Sequence, residues 1–236
     1  MRDIPIIFSA PMVRALLDGR KTQTRHLVPQ PPAECGINYM LGEESWLPIE
    51  KRTPVRRAFE AWTGPLFQNR PPGHLCGSFD ITPRFQPRDR LWVRENWKPH
   101  SSFAGTKPRD MPAGEVFYMA DGGYAPSNTP WVPCIHMPRW ASRLTLLVEQ
   151  VRIERLQDIS EKDAKAEGVT ADEDPFWRPS ATDPDSGGNP SHRTSFECLW
   201  NSINGADAWD ANPWVVALTF RVIRSNIDAI PSQEAA

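Results

Sequence analysis

Apolar residues along the chain fall into short runs whose spacing changes between the periods of helix and strand. In PMVRALLDG, residues 11–19, Met12, Val13, Leu16 and Leu17 follow helical spacing between a proline suited to a first turn and a glycine suited to a C-cap. This predicts a short helix. It runs into RKTQTRH, residues 20–26, where alternating threonines favour an extended segment. Residues 28–86 keep neither period and carry repeated proline pairs, so they are expected to form an irregular insertion. PRDRLWVRENW, residues 87–97, reads as a turn feeding a strand, and a second proline- and glycine-rich insertion at 99–130 holds a short strand at 116–119.

The second half is more regular. RLTLLVEQVRIER, residues 143–155, alternates as a long strand, and DISEKDAKAEG, residues 158–168, reads as a two-turn helix with Ser160 and Asp163 in a capping box. Residues 170–192 are polar, acidic and rich in proline and glycine, the pattern of a third insertion. Phe196, Leu199, Trp200 and Ile203 fall at i, i+3, i+4 and i+7 after Thr194 or Ser195, with Gly205 beyond, which predicts an amphipathic helix. PWVVALTFRVI, residues 213–223, closes the pattern as a strand, and residues 224–236 read as a polar tail. The expectation is one α+β domain over residues 1–223, a small mixed β-barrel with flanking short helices and long loop insertions.

Composition narrows the class of protein. The 236 residues carry 27 basic and 29 acidic groups, so a uniformly basic coat is excluded. The charge is nevertheless uneven: residues 1–145 hold 19 basic and 13 acidic groups, and the remainder 8 and 16, which suggests one positive face. Within 51–98, ten basic groups and four acidic ones interleave with Trp62, Phe67, Phe79, Phe85, Trp92 and Trp97, a pattern shared by single-stranded nucleic-acid surfaces and by solvated loops with buried aromatics. No apolar run is long enough to span a bilayer and the first residues lack a signal-peptide core, so a cytoplasmic protein without a membrane partner is expected. Four cysteines without a C-x-x-C pair suggest reduced thiols.

Three groups of residues are candidates for chemistry. Lys21, Thr24 and Arg25 follow directly on a helix end; the lysine reads as a phosphate contact, a general base with its pKa depressed by cationic neighbours, or a solvated side chain. His74 with Cys76 and Cys134 with His136 offer two nitrogen and two sulfur ligands, but one-residue gaps are unlike a zinc knuckle, and no metal or cofactor is expected. His136, Arg139, Trp140 and Arg143 would suit a phosphate and a stacked base, or equally an aromatic core anchor flanked by solvated arginines.

The run LLDGRKTQTR at 16–25, the segment PRDRLWV at 87–93, the 158–168 helix ending AEG and the closing strand together resemble the ASCH family of the PUA-like superfamily. The segment CIHMPRWASR at 134–143 is similar to phage and prophage members. The resemblance covers about 90 residues at 11–26, 86–97, 134–168 and 196–222. It departs from the family at Arg88, which stands where a glycine usually precedes the aspartate. The resemblance implies a PUA-like β-barrel and, from the family's defined activity, hydrolysis of N4-acetylcytidine by a Lys, a Thr and a Glu, which fall on Lys21, Thr24 and Glu167. Arg25, His136, Arg139, Trp140 and Arg143 are the expected substrate contacts. The expected function is removal of an acyl group from a modified cytosine nucleoside or nucleotide. The alternative is a non-catalytic RNA- or DNA-binding module.

Overall fold

The computed structural model describes residues 1–30, 35–37, 57–63, 78–81, 83–123, 127–170 and 191–231. Its elements are, in order, β1 (Asp3–Ile7), α1 (Ala10–Leu17), β2 (Gln23–Leu27), β3 (Cys35–Ile37), β4 (Arg57–Thr63), β5 (Ser78–Ile81), β6 (Arg90–Arg94), β7 (Trp97–Pro99), β8 (Val116–Tyr118), β9 (Thr145–Arg155), α2 (Glu161–Ala166), α3 (His192–Asn204) and β10 (Trp214–Ile223). The content is α+β. A five-stranded sheet of order β1-β6-β9-β10-β2 forms the body, with β1 parallel to β6 and every other pairing antiparallel. β9 and β10 pair along their length except at Glu149, an extra residue of β9 opposite the Thr219–Phe220 step, so the bulge lies on β9.

The sheet is open. β1 and β2, the strands that would have to pair to close a barrel, remain its two edges. Helix α1 joins them in sequence and sends Val13 and Leu16 into the core that holds Ile4, Ile6, Leu91, Leu146, Val148, Trp214, Val216, Leu218 and Phe220. A second cluster, Leu156, Ile159, Ala164, Phe196, Trp200, Trp209 and Val215, seats α2 and α3 against the sheet. Completely burying a leucine-sized side chain contributes roughly 1.5–3 kcal/mol. These two clusters therefore dominate the stability of the body.

Several elements differ from the sequence pattern. The 28–86 insertion, expected to be irregular, contains an antiparallel sheet of order β3-β4-β5, whose short strands are separated by segments too rich in proline for any sustained period. α3 begins at His192, capped by Ser191 Oγ accepting from the Thr194 amide, because the capping geometry outweighs the later start of the apolar stripe. The 170–192 insertion lies outside the described residues apart from its ends.

The segment after β10 is no loose tail. Ile227 and Ile230 are buried, the Arg90 guanidinium donates to both of their carbonyls, and Asn226 Nδ2 donates to the carbonyls of Arg139, Trp140 and Ser142. Polar composition concealed this anchoring, since its bonds are made by backbone carbonyls rather than by an apolar stripe.

The turn into β6 is held by Asp89. This buried carboxylate accepts from the Gln86 amide and, through both oxygens, from Arg2. The turn carries Arg88 at φ 71°, a left-handed backbone that favours glycine. Its amide donates to Val148 O at 2.7 Å, which locks the strained conformation in place. Arg88→Gly is expected to raise stability by up to about 1 kcal/mol in urea denaturation, the relieved strain exceeding the added chain entropy.

Candidate active site

The site forms where α1 ends. The amides of Arg20 and Lys21 both donate to Ala15 O, closing the helix with a bend after Gly19 and carrying Lys21 inward. The incoming chain is then pinned to the end of α2: the Thr22 amide donates to Ala166 O at 2.8 Å, and Lys21 and Glu167 form an isolated antiparallel bridge. This contact requires Gly168. Its φ is +89°, and a Cβ there would stand 2.9 Å from the Cβ atoms of both Ala15 and Lys21.

Lys21 is fully buried, and its ammonium donates to Glu167 Oε2 at 2.8 Å and to the Glu167 carbonyl at 2.9 Å. The Phe8 ring lies against it, with its centroid 5.6 Å from Nζ. Arg25 Nη1 donates to the other carboxylate oxygen, Oε1, at 3.0 Å. Through Nε and Nη2 the same guanidinium grips Glu154 Oε1 at 3.0 and 2.7 Å, while Asp163 Oδ2 lies 3.7 Å from Nη2. Arg152 pairs with Glu154 and Asp163, and Gln23 Nε2 donates to Asp163 Oδ1. Three cations thus face three carboxylates. Glu167 sits at the C-cap of α2, where the helix dipole disfavours a negative charge, and two buried cations offset that penalty. Burial works against ionisation of Asp163, but the Gln23 hydrogen bond and the Arg152 and Arg25 charges hold its carboxyl below the usual range.

One face of this network opens on a cavity of about 900 Å³. It is lined by the ends of both edge strands (Ile7, Phe8 and Thr24–Leu27), by α1, by residues 167–170 and by α3. The gap left by the unclosed sheet is therefore the cavity. Thr24 and Arg25 reach it from β2 and Glu167 from the end of α2; Lys21 stands behind Glu167 and does not line it. The Thr24 hydroxyl makes no hydrogen bond among the described residues, so it is available to a ligand.

The sequence pattern did not place five further participants here. Glu154, Asp163, Arg152 and Gln23 complete the ion network, and His26 lies beside it on the cavity wall. Strand parity is the signal that bears on two of them: Gln23 and Arg25 are two residues apart on β2, and Arg25 and Arg152 both pair with Ala217 of β10. His26 stacks at 5.8 Å on Phe85 and its Nε2 is buried without a partner. Burial pushes its pKa down; Glu167 opposes this, while Lys21 and Arg84 add to it.

The remaining expected substrate contacts do not reach the cavity. Arg139 is clamped between Asp3 and Asp228, each at 2.6 Å, and Arg143 is held by Glu95 and Asp121 over the Tyr118 ring, 3.9 Å from its centroid. Their charges are spent within the fold. Burial raises the Glu95 carboxyl pKa despite Arg143, and pushes the Tyr118 hydroxyl up to about 12. Trp140 packs edge-on against the fully buried Trp97, and His136 is exposed on a single 3-10 turn with Cys134. The 134–143 segment is thus an anchor for the β7–β8 side of the molecule. His74 and Cys76 lie outside the described residues, and among the described residues no three His, Cys, Asp or Glu side chains are grouped to hold a metal.

Among known proteins, no family model, no curated protein and no solved structure matches this chain.

Two outcomes follow from this geometry. Gly168→Ala combines a left-handed backbone with a clash against two Cβ atoms, and is expected to cost at least about 2 kcal/mol in urea denaturation. His26 is neutral in the native state, with a pKa below the unfolded value of about 6.5. Its contribution is complete above pH 6.5 and declines as pH falls toward the native pKa, by at most about 1.4 kcal/mol per pH unit. Denaturation of wild type and His26→Leu at pH 7.5 and 5.5 should show the smaller pH dependence in the variant.

Proposed function

We propose that the cavity is the active site of an amidohydrolase that removes an acyl group from the exocyclic amine of a modified cytosine nucleoside or nucleotide. The observation that supports this most is that Lys21 and Glu167, 146 residues apart, form a buried ion pair at the edge of a cavity that Glu167 and Thr24 both line. A PUA-like fold belongs to the same reading. Its support is the strand and helix order.

An amide needs a nucleophile and a proton for the departing amine. In this reading the Thr24 oxygen attacks the acyl carbon and its proton passes to Glu167, the member of the buried pair that reaches the cavity. Arg25, whose guanidinium is buried among Glu154, Gln23 and Glu167, holds the second carboxylate oxygen of Glu167 and so fixes its orientation. Collapse breaks the C–N bond, the amine takes the proton from Glu167, and a water molecule repeats the sequence to release the acid and restore Thr24. Lys21 acts through Glu167 as a positioning residue: its ammonium, 2.8 Å from Oε2, orients the carboxylate.

The test is conversion of N4-acetylcytidine to cytidine, followed by chromatography. Thr24→Ala is the informative variant because the hydroxyl makes no hydrogen bond that the fold depends on. It should lower kcat by about 10² or more with unchanged thermal stability. Glu167→Gln should lower kcat and should also lower thermal stability, because the buried Lys21 and Arg25 lose their shared counter-charge. Turnover retained in Thr24→Ala defeats the assignment of the nucleophile. An inactive wild type that binds oligonucleotides with steep salt dependence defeats the enzymatic reading in favour of a binding module.

A further inference from the structure

The cavity lining is mixed. Thr24, Arg25 and Glu167 contribute polar groups, as do Arg14, Asp18, Arg20, Ser202 and Asn204. Among them stand apolar side chains: Met12 from α1, Leu199 and Ile203 from α3, and Ile7 and Leu27 at the ends of the two edge strands. Five large hydrophobic side chains are strongly exposed among the described residues, and three of them, Ile7 at 46%, Leu27 at 52% and Ile203 at 59%, line this one cavity. Scattered exposed apolar residues are ordinary, but convergence on one concave site from three separate elements marks a surface that a ligand covers.

The α3 stripe carries the same signal. Its four apolar positions are alike in the sequence, yet only Phe196 and Trp200 enter the core, while Leu199 is half-buried and Ile203 is exposed at the cavity. An apolar helix position withdrawn from the core is unfavourable unless something apolar fills the space beside it.

Size points the same way. At about 30 Å³ for each water-sized group, the cavity accommodates roughly thirty non-hydrogen atoms, and an acetylated nucleoside supplies roughly two thirds of that number. The surplus lies beside the apolar side chains.

We infer that the site is built for amides carrying an apolar acyl chain of four or more carbons, with the scissile carbonyl at Thr24 and the chain lying along Met12, Leu199 and Ile203. The inference rests on the amidohydrolase reading for the position of the carbonyl, but chain recognition is separable from catalysis.

The experiment measures both. N4-acetyl-, N4-butanoyl- and N4-hexanoylcytidine are titrated calorimetrically into the Thr24→Ala protein, and turnover of the same three is followed with wild type. Affinity should rise about threefold to fourfold for each added methylene, hence about a hundredfold from acetyl to hexanoyl. Ile203→Asp, at an exposed position that leaves the core untouched, should remove most of this gain.

Turnover of all three compounds with equal affinities would overturn the inference and leave the amidohydrolase reading standing. Chain-length-dependent binding without any turnover would support the inference and overturn that reading. If Ile203→Asp abolishes self-association of the chain and leaves the chain-length dependence unchanged, the rim is a contact between copies and the inference fails.

Discussion

The pairing of Lys21 with Glu167 is the constraint from which the rest of the site follows. Neither side chain is tolerable alone: a fully buried ammonium and a carboxylate at a helix C-cap each lose most of their hydration. Together, and with Arg25 on the second carboxylate oxygen, they satisfy one another. Removing one partner from such a pair costs on the order of 3–5 kcal/mol because a buried charge is left behind. The pair therefore fixes where β2 begins relative to the end of α2, and the backbone bridge between the same two residues tightens that placement. Arg25 extends the constraint to β9 through Glu154, so that one contiguous charge network holds α2 and two strands.

The opening in the sheet is the complement of this network. α1 fills part of the space between the edge strands with Val13 and Leu16, and what it leaves becomes the cavity. An unclosed sheet leaves backbone groups unpaired along its edges, a liability in most proteins. Here both edge strands end at a concave site, and their terminal side chains, Ile7 and Leu27, form part of its wall. Elsewhere the fold spends its cations on anchoring. Arg90 and Arg139 bind Asp3 and hold the segment after β10, and Arg143 neutralises Glu95. Burial of Asp3 opposes its ionisation, but its two arginine partners prevail and keep its carboxyl below the usual range. Arg2, Lys21, Arg25, Arg90, Arg139 and Arg143 of the first 145 residues are thus held in internal ion pairs.

The same geometry changes the role that a lysine at position 21 can take. A general base must present a lone pair to the proton it removes. Lys21 presents its ammonium to Glu167 from behind the cavity wall, whereas Glu167, Thr24 and Arg25 line the cavity itself. The chemistry consistent with this arrangement routes protons through the carboxylate. In the proposed reaction the lysine acts through Glu167.

Much of the local structure was legible along the chain. The capped helix at 10–17, the capping box at Ser160, the alternation of 145–155 and the closing strand follow from periodicity and caps, which depend on residues within one or two turns. Lys21, Thr24 and Glu167 were singled out through a resemblance rather than through any periodicity; the structure pairs Lys21 with Glu167 and puts Thr24 on the cavity that Glu167 lines. Only the tertiary structure decided the rest. Whether Arg139 and Arg143 meet a ligand or a carboxylate depends on Asp3, Asp228, Glu95 and Asp121, which lie 22 to 136 residues away in sequence. Whether Ile203 is core or cavity wall depends on how far α3 runs past the sheet it packs on. Short-range pattern records which side chains are apolar or charged and how they repeat. Which of them find partners is set by the closure of long loops and by the desolvation of charges that meet only when the chain is folded.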